Sequence, residues 1–524
     1  MKLKVLITDN LPEQTFEIFR KEGVEYDYRP GIPWEELLEI VKNYDGIITR
    51  SRTPVTKELL ERARKLKVIG RAGVGVDSID IEEASKRGIL VVNTAGGNRI
   101  SVAELTIAHM IACVRGIPYG HQGILNGKWH KKKLFGHELY RKSLGIIGLG
   151  RIGSEVARRA LAFGMKLYAY DPYIPQSKAE KLNVKLLKTL DELLAVSDVI
   201  TIHAPLTEET RGMISYKEFE KMKDGVVILN IARGGIIDHD ALFEAVKSGK
   251  VGAFALDVYP EEPPIDFPIR DFPFMSLTPH IGANTQEAME NVASMVVTDV
   301  INALRGREVK SPVNFPLQES AATPFVKAYK KLAERMGKLF PALFGLKTPV
   351  IEIELLGSAK NLGDIVKAYF LKGLLTQITD THVNEINAPY LAKEKGIELI
   401  IKTGNGLHNF KNIIFVKGYD GGKNKMAGSV FDEKYYRILN IKDFWFEIEP
   451  RGELLFFEII DTPGIIGEIG YKIASRGYNI SDLRYFTRRK FGLGILKLDK
   501  KPERELLNEL KNLEYITNVA YVSL

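Results

Sequence analysis

The sequence predicts an α/β chain in which two doubly wound parallel-sheet domains come first, a mixed α/β unit follows, and a small βαββαβ unit closes. Three observations carry that expectation. Short apolar runs alternate with helical patterns over the first hundred residues, and the same alternation returns behind a glycine-rich turn near residue 150. From about 450 onward the order changes to strand, helix, strand, strand, helix, strand.

In the first hundred residues "KVLITD", "EYDYR", "GIITR", "KVIGRAG" and "ILVVNT" read as strands, with helical patterns over 13–22, 34–42 and 56–65 between them. Behind the glycine turn, "KLYAYD", "DVITIHA", "GVVILNIA", "VGAFALDV" and "MSLTPH" continue the series. A long helical pattern over 284–304 precedes "RGREVKSPVNFPLQES", whose turn formers and charges place a boundary near 312–322. The mixed segment shows an amphipathic stretch over 361–375 and the strand-like "PVIEIELL" and "NIIFVKG". In the final unit strands are expected at 453–460, 479–487, 492–499 and 516–523, with helices at 464–475 and 502–511.

The turn itself is "LGIIGLGRIGSEVA". An apolar strand runs into Gly148, Gly150 and Gly153, which match GxGxxG, and a helical pattern resumes at Ser154. Gly148 permits the tight turn, Gly150 lets a pyrophosphate approach the backbone, and Gly153 lets the helix pack on the strand. The next strand ends in Asp171, where a dinucleotide site places the carboxylate that holds the ribose hydroxyls. A 2′-phosphate beside it would be repelled by about 4 kcal/mol at an effective dielectric of 20 and roughly 4 Å. NAD is therefore expected rather than NADP. The two α/β domains would bracket a cleft.

Length and composition bound the remaining options. The 524 residues suffice for roughly three or four domains. A 45% hydrophobic, 27% charged composition is that of a globular protein. The single cysteine, Cys113, excludes an intramolecular disulfide and a cysteine-rich metal site, and it suits a reducing cytoplasm. No metal is expected. Asp9 interrupts the N-terminal segment before a signal-length apolar run can form, and no run of about 18 apolar residues occurs, so neither secretion nor a membrane is expected. The net charge of +8 is interleaved with acids, its longest cluster being "KWHKKK", which argues against nucleic acid and fits an anionic small substrate.

Three short signatures stand at or just beyond predicted strand ends: "NIARGG" with Arg233, "LDVYPEEPP" with Asp257 and Glu262, and "TPHIGANT" with His280. In open α/β sheets such ends line the ligand crevice. Hydride transfer to or from a 2-hydroxy acid needs a cation for the carboxylate and the developing oxyanion, an acid/base for the hydroxyl proton, and a group that orients that base. Arg233, His280 and Glu262 supply one of each.

With "GRAGVGVDSID", "AELT", "GKW" and "HAPLT" added in the same order and spacing, the chain resembles the D-isomer-specific 2-hydroxy-acid dehydrogenases over nearly its whole length. The resemblance implies a Rossmann nucleotide domain (101–282), a flavodoxin-like substrate domain (1–100 completed by 283–314), an intervening regulatory domain (315–449) and a ferredoxin-like ACT domain (450–524). It makes Arg233 the substrate arginine, Glu262 the residue orienting the histidine and His280 the acid/base. Arg151 and Ile152 would lie by the pyrophosphate, with Thr207 and Asp257 near the cofactor. "TRSRTPVT" supplies Arg50, Ser51 and Arg52 for a substrate phosphate. Val74, Gly75 and Asn98 join the substrate site, with Lys131 reaching it from a neighbouring subunit of a homodimer or homotetramer. "VNEINAPYLAKEKGI" is similar to the intervening domain of the long members, and "EIIDTPGIIGEIGYKIASRGYNI" to an ACT module, in which Asp461 and Asn479 would hold an amino-acid effector, L-serine. The expected activity is NAD-dependent oxidation of D-3-phosphoglycerate. A glyoxylate or hydroxypyruvate reductase and a non-catalytic NAD-sensing regulator are the alternatives.

Overall fold

The computed structural model describes all residues except 1, 265–266, 270, 316–322, 347–348, 405–411 and 419–422. The expected boundary at 312–322 therefore lies largely outside the described residues.

The first sheet runs, from edge to edge, Glu25–Tyr28, Lys4–Ile7, Gly46–Thr49, Val68–Arg71 and Leu90–Val92, every pair parallel. The middle strands are apolar on both faces, as a sheet covered by helices on both sides requires: Val5, Leu6 and Ile7 are all buried, as are Ile47 and Ile48. One cover is the helix Gln286–Leu304, which arrives from much later in the chain and packs Val296 and Val300 against the sheet. Its departing chain is tied down by buried Asp299, whose carboxylate accepts from the N–H of Lys310 and of Ser311. The chain beyond it meets strand Leu90–Val92 in a single antiparallel bridge, Val92 to Pro312, where the Asn93 N–H donates to the Ser311 carbonyl and the Val313 N–H to the Val91 carbonyl.

The second sheet has seven parallel strands in the order Met275–Leu277, Val251–Leu256, Val226–Asn230, Val199–Ile202, Ser143–Ile147, Lys166–Tyr170, Lys185–Leu186. The chain reverses its direction of winding between Ser143–Ile147 and Val199–Ile202, so the crevice at their carboxyl ends is where a doubly wound sheet accepts its ligand. The helix Arg99–Arg115 crosses between the two sheets and packs Met110 and Cys113 into the second core.

The C-terminal part contains two more sheets. One is mixed, with Glu398–Gly404 parallel to Val350–Leu356 and then Ile413–Gly418, Lys425–Phe431, Tyr435–Ile441 and Phe444–Ile448 antiparallel. The other is antiparallel, in the order Ile480–Arg488, Phe491–Leu498, Glu453–Ile460, Ile516–Ser523. Along Glu453–Ile460 the side chains alternate: Leu455, Phe457 and Ile459 enter one core with helices Ile465–Ser475 and Arg504–Lys511, while Leu454 and Phe456 enter another. That second core includes the helix Pro324–Phe344 and the mixed sheet, so the last two units share one apolar interior.

Among the described residues no single helix is long and apolar enough to cross a membrane. Arg99–Arg115 and Ile117–Leu125 meet the length only together, across a 67° bend.

Candidate active site

The glycine turn forms as its sequence requires. Gly148 has φ +89°, and a Cβ there would stand 2.8 Å from the carbonyl oxygen of His203 on the neighbouring strand end. A Cβ at Gly153 would stand 2.1 Å from the carbonyl oxygen of Gly148, so only glycine lets helix Arg151–Ala162 close on the turn. Gly150 is different: no heavy atom lies within 4 Å of where its Cβ would be, which leaves an open cradle at a helix N-terminus. Asp171 accepts from the N–H of Leu149 at 2.9 Å and of Tyr173 at 3.0 Å, which fixes its carboxylate against the turn. These residues fit a dinucleotide, with pyrophosphate at the cradle and ribose at the carboxylate.

From that turn a cleft of about 400 Å³ runs past Arg151, Ile152, Asp257 and Gly282 to Arg233 and His280. It continues into a second cleft of about 800 Å³ toward Arg50 and Ser51. Val74, Gly75 and Asn98 line both. A further hollow of about 340 Å³ holds Arg50, Ser51 and Arg52 together with Asp9. Thr207 sits in the loop beyond strand Val199–Ile202, bonded through its N–H to Thr210 Oγ1 at 2.8 Å, and its neighbour Leu206 reaches the cleft instead. Lys131 lies on an exposed turn and is not among the cleft-lining residues of its own chain.

The three chemical residues converge. His280 Nδ1 lies 2.7 Å from Glu262 Oε2, and Glu262 Oε1 accepts from the N–H of Tyr259 at 3.2 Å. With Nδ1 engaged, Nε2 is the nitrogen left to exchange a proton with substrate. Arg233 is displayed by a turn that Asn230 staples: Asn230 Nδ2 donates to the Arg233 carbonyl at 2.8 Å, and its Oδ1 accepts from the Ala232 N–H at 3.1 Å. The Arg233 guanidinium lies 3.5 Å from Asp77 Oδ2, and a Cβ on Gly75 would collide with it at 2.1 Å. His280 itself has φ +51°, a left-handed conformation uncommon for a non-glycine residue, held because Asp257 takes the next two N–H groups, of Ile281 at 2.8 Å and of Gly282 at 2.9 Å.

Sequence reasoning missed two residues. Arg71 lines the larger cleft beside Arg50 and Arg233; burial pulls its pKa down, the Asp9 and Asp77 carboxylates act the other way, and its buried Nε has no partner among the described residues. Its signal was present in "GRAGVGVD", where a lone cation ends a buried strand. Asn230 was visible in "NIARGG" as a fully buried amide, a residue type that needs partners. In the C-terminal unit Asp461 Oδ1 accepts from the Tyr485 hydroxyl at 2.7 Å, while the Asn479 N–H donates to Asp499 Oδ1 at 3.0 Å and the Asn479 carbonyl accepts from the Asp499 N–H at 3.1 Å.

Fold and site together define a D-isomer specific 2-hydroxyacid dehydrogenase. The sequence model of the NAD-binding domain of that class matches residues 107–282, and the D-3-phosphoglycerate dehydrogenase intervening domain matches 325–442. NAD is the cofactor of this class, and the turn fits it. The chain is 40% identical to the D-3-phosphoglycerate dehydrogenase of Archaeoglobus fulgidus and 39% to that of Methanocaldococcus jannaschii, with each pair matched over 100% of both chains. It is 38% identical to the Bacillus subtilis enzyme of the same name over 92% of each chain. Among solved structures, a glyoxylate reductase from Paecilomyes thermophila matches at 33% identity and a TM-score of 0.56, covering 60% of this chain and 98% of its own. The chain belongs to the D-3-phosphoglycerate dehydrogenase family.

Proposed function

We propose that the chain oxidises D-3-phosphoglycerate to 3-phosphohydroxypyruvate, the entry to phosphorylated L-serine synthesis. The observation that carries this reading is the Glu262–His280 pair facing Arg233 across a cleft whose far end is lined by Arg50, Ser51 and Arg71. Bound NAD supplies a hydride acceptor. His280 Nε2 takes the hydroxyl proton, Glu262 holds the imidazole in the tautomer this requires, and Arg233 binds the carboxylate and the oxygen on which charge develops. Arg50, Arg52 and Arg71 suit a phosphate, which guanidinium groups bind in paired hydrogen bonds.

The glyoxylate reductase is a relative of the catalytic portion alone, since 60% of this chain is matched. Glyoxylate carries no phosphate, so reduction of glyoxylate would give no use to the arginines at the far end of this cleft. The βαββαβ unit serves as an ACT-type sensor in this reading, with Asp461 and Asn479 holding L-serine and Tyr485 yielding its hydrogen bond as the ammonium arrives. A homodimer or homotetramer is supported by the exposed side chains of Ile117, Ile124, Leu125, Trp129 and Phe135, a cluster that carries Lys131 toward a neighbouring subunit. Residence in the cytoplasm suits the unpaired Cys113.

The reading is tested by replacing His280 with alanine. Turnover falls by about a hundredfold or more, the usual contribution of an acid/base, while NADH binding stays near that of the parent protein. Retention of more than a tenth of the activity would remove the role assigned to His280.

A further inference from the structure

We propose that His109 and Thr278 are positioning residues for the acid/base, joined to its loop by a buried hydrogen-bond chain that ends on the carboxylate of Asp257; this rests on the reading of His280 given above. His109 is 2% exposed, sits on helix Arg99–Arg115 and is not among the residues that line the clefts described above. Its Nδ1 lies 2.8 Å from Ser276 Oγ and its Nε2 2.9 Å from Thr278 Oγ1. Thr278 Oγ1 lies 2.5 Å from Asp257 Oδ1.

The direction of the chain follows from the proton inventory. A carboxylate only accepts, so the single hydroxyl proton of Thr278 goes to Asp257. Thr278 must then accept from His109, whose proton is on Nε2. His109 Nδ1 accepts in turn from the Ser276 hydroxyl. The neutral imidazole is the form that satisfies both contacts, and burial holds its pKa below the ordinary histidine value. Asp257 is the charged group facing it; the His280 loop faces Glu262 and Asp257 on its own side of the cleft and Arg233 with Asp77 on the other.

The far end of the chain is the useful one. Asp257 is 1% exposed, and the same carboxylate holds the N–H groups of Ile281 and Gly282 immediately behind His280. Ser101, eight residues before His109 and on the same face of the helix, donates to the Gly282 carbonyl at 2.7 Å. One helix thus grips the His280 loop at two points, directly through Ser101 and through His109, Thr278 and Asp257. Without the Thr278 hydroxyl, the Asp257 carboxylate loses one of the hydrogen bonds that orient it, so its bonds to the Ile281 and Gly282 N–H groups weaken and the left-handed turn at His280 is held less firmly.

Hydrogen exchange of the full chain tests this independently of turnover. In Thr278→Val and His109→Leu the amides of Ile281 and Gly282 exchange faster by about tenfold or more, the worth of a hydrogen bond to a charged group, while strand Ser143–Ile147 exchanges as before. Thr278→Ser restores protection. In the same variants kcat falls with the KM for NADH unchanged, the pH profile of kcat/KM shifts on its acid side, and Thr278→Ser returns both. Nitrogen-15 spectra of the parent protein place the His109 proton on Nε2. Unchanged exchange at 281–282 in Thr278→Val, or a proton on Nδ1, overturns the inference. Loss of that protection in a protein that turns over no 2-oxo acid would overturn the functional reading and leave the chain of bonds standing.

Discussion

His280 Nδ1 and Glu262 Oε2 stand 2.7 Å apart although eighteen residues separate them in the chain. Each comes from the loop beyond a different strand of the second sheet, Glu262 after Val251–Leu256 and His280 after Met275–Leu277, and those strands are parallel neighbours. Adjacent strand ends are what bring a base and its orienting carboxylate together. Replacing Glu262 with glutamine keeps a hydrogen-bond acceptor but removes the charge, and kcat/KM should fall about ten- to a hundredfold with little change in the affinity for NADH. Steady-state kinetics paired with NADH fluorescence titration checks this, and a loss of cofactor affinity equal to the loss of rate would assign Glu262 to the cofactor instead.

Arg71 predicts a separation between substrates. Arg71→Met keeps the buried stem and deletes the guanidinium, so kcat/KM for 3-phosphohydroxypyruvate should drop by about a hundredfold, as for a lost charge-assisted pair, with less than about a threefold change for hydroxypyruvate. Equal losses on both would make Arg71 a support for the strand end.

Asp171 predicts cofactor choice. Asp171→Asn keeps an oxygen for the Leu149 N–H and removes the charge that repels a 2′-phosphate, so the ratio of NADPH to NADH use should rise by about tenfold or more. An unchanged ratio would place the discrimination elsewhere.

Three histidines predict how stability depends on pH. Burial lowers the pKa of His109 and His239, and brings His203 down to about 3. Each is neutral in the folded chain and takes up a proton when the chain unfolds below the ordinary value near 6.5, so the unfolded state binds more protons in acid. Their stabilisation is complete above about pH 6.5 and is lost as the pH falls, by about 1.4 kcal/mol per pH unit for each proton taken up. Urea midpoints measured from pH 7.5 to 5 should therefore decline, and a flat profile would contradict the buried neutral state of these rings.

Cys113 predicts silence toward thiol reagents. It is fully buried, and desolvation pushes its thiol up to about 12, so the folded protein should not react and the denatured chain should show one thiol.

The catalytic half was legible in the sequence because a buried parallel sheet writes itself as continuous apolar runs, and strand ends there carry the chemistry. The strands at 453–460 and 516–523 appear where their alternation places them. The mixed segment was far less legible. Strands Lys425–Phe431 and Tyr435–Ile441 pair as neighbouring antiparallel strands but alternate weakly, with small or polar residues at Gly428, Ser429, Arg437 and Asn440, so their pattern does not mark one buried face. The 21-residue helix Pro324–Phe344 was not anticipated; it follows a run of turn formers and is set by the two sheets it fills the space between. At the site the glycine turn and the three catalytic candidates could be read from spacing. Arg71 and Asn230 stand inside quoted motifs, but only the fold shows Arg71 at the cleft and the Asn230 amide closing its turn; the His109–Thr278 bond could not be read, because it depends on a helix and a strand far apart in the chain.

The most direct test of the account is NADH oxidation with equal concentrations of 3-phosphohydroxypyruvate, hydroxypyruvate, glyoxylate and pyruvate. The account predicts a preference of about a hundredfold or more in kcat/KM for the phosphorylated keto acid, equivalent to about 2.7 kcal/mol of phosphate recognition. Equal or faster turnover of glyoxylate would contradict it.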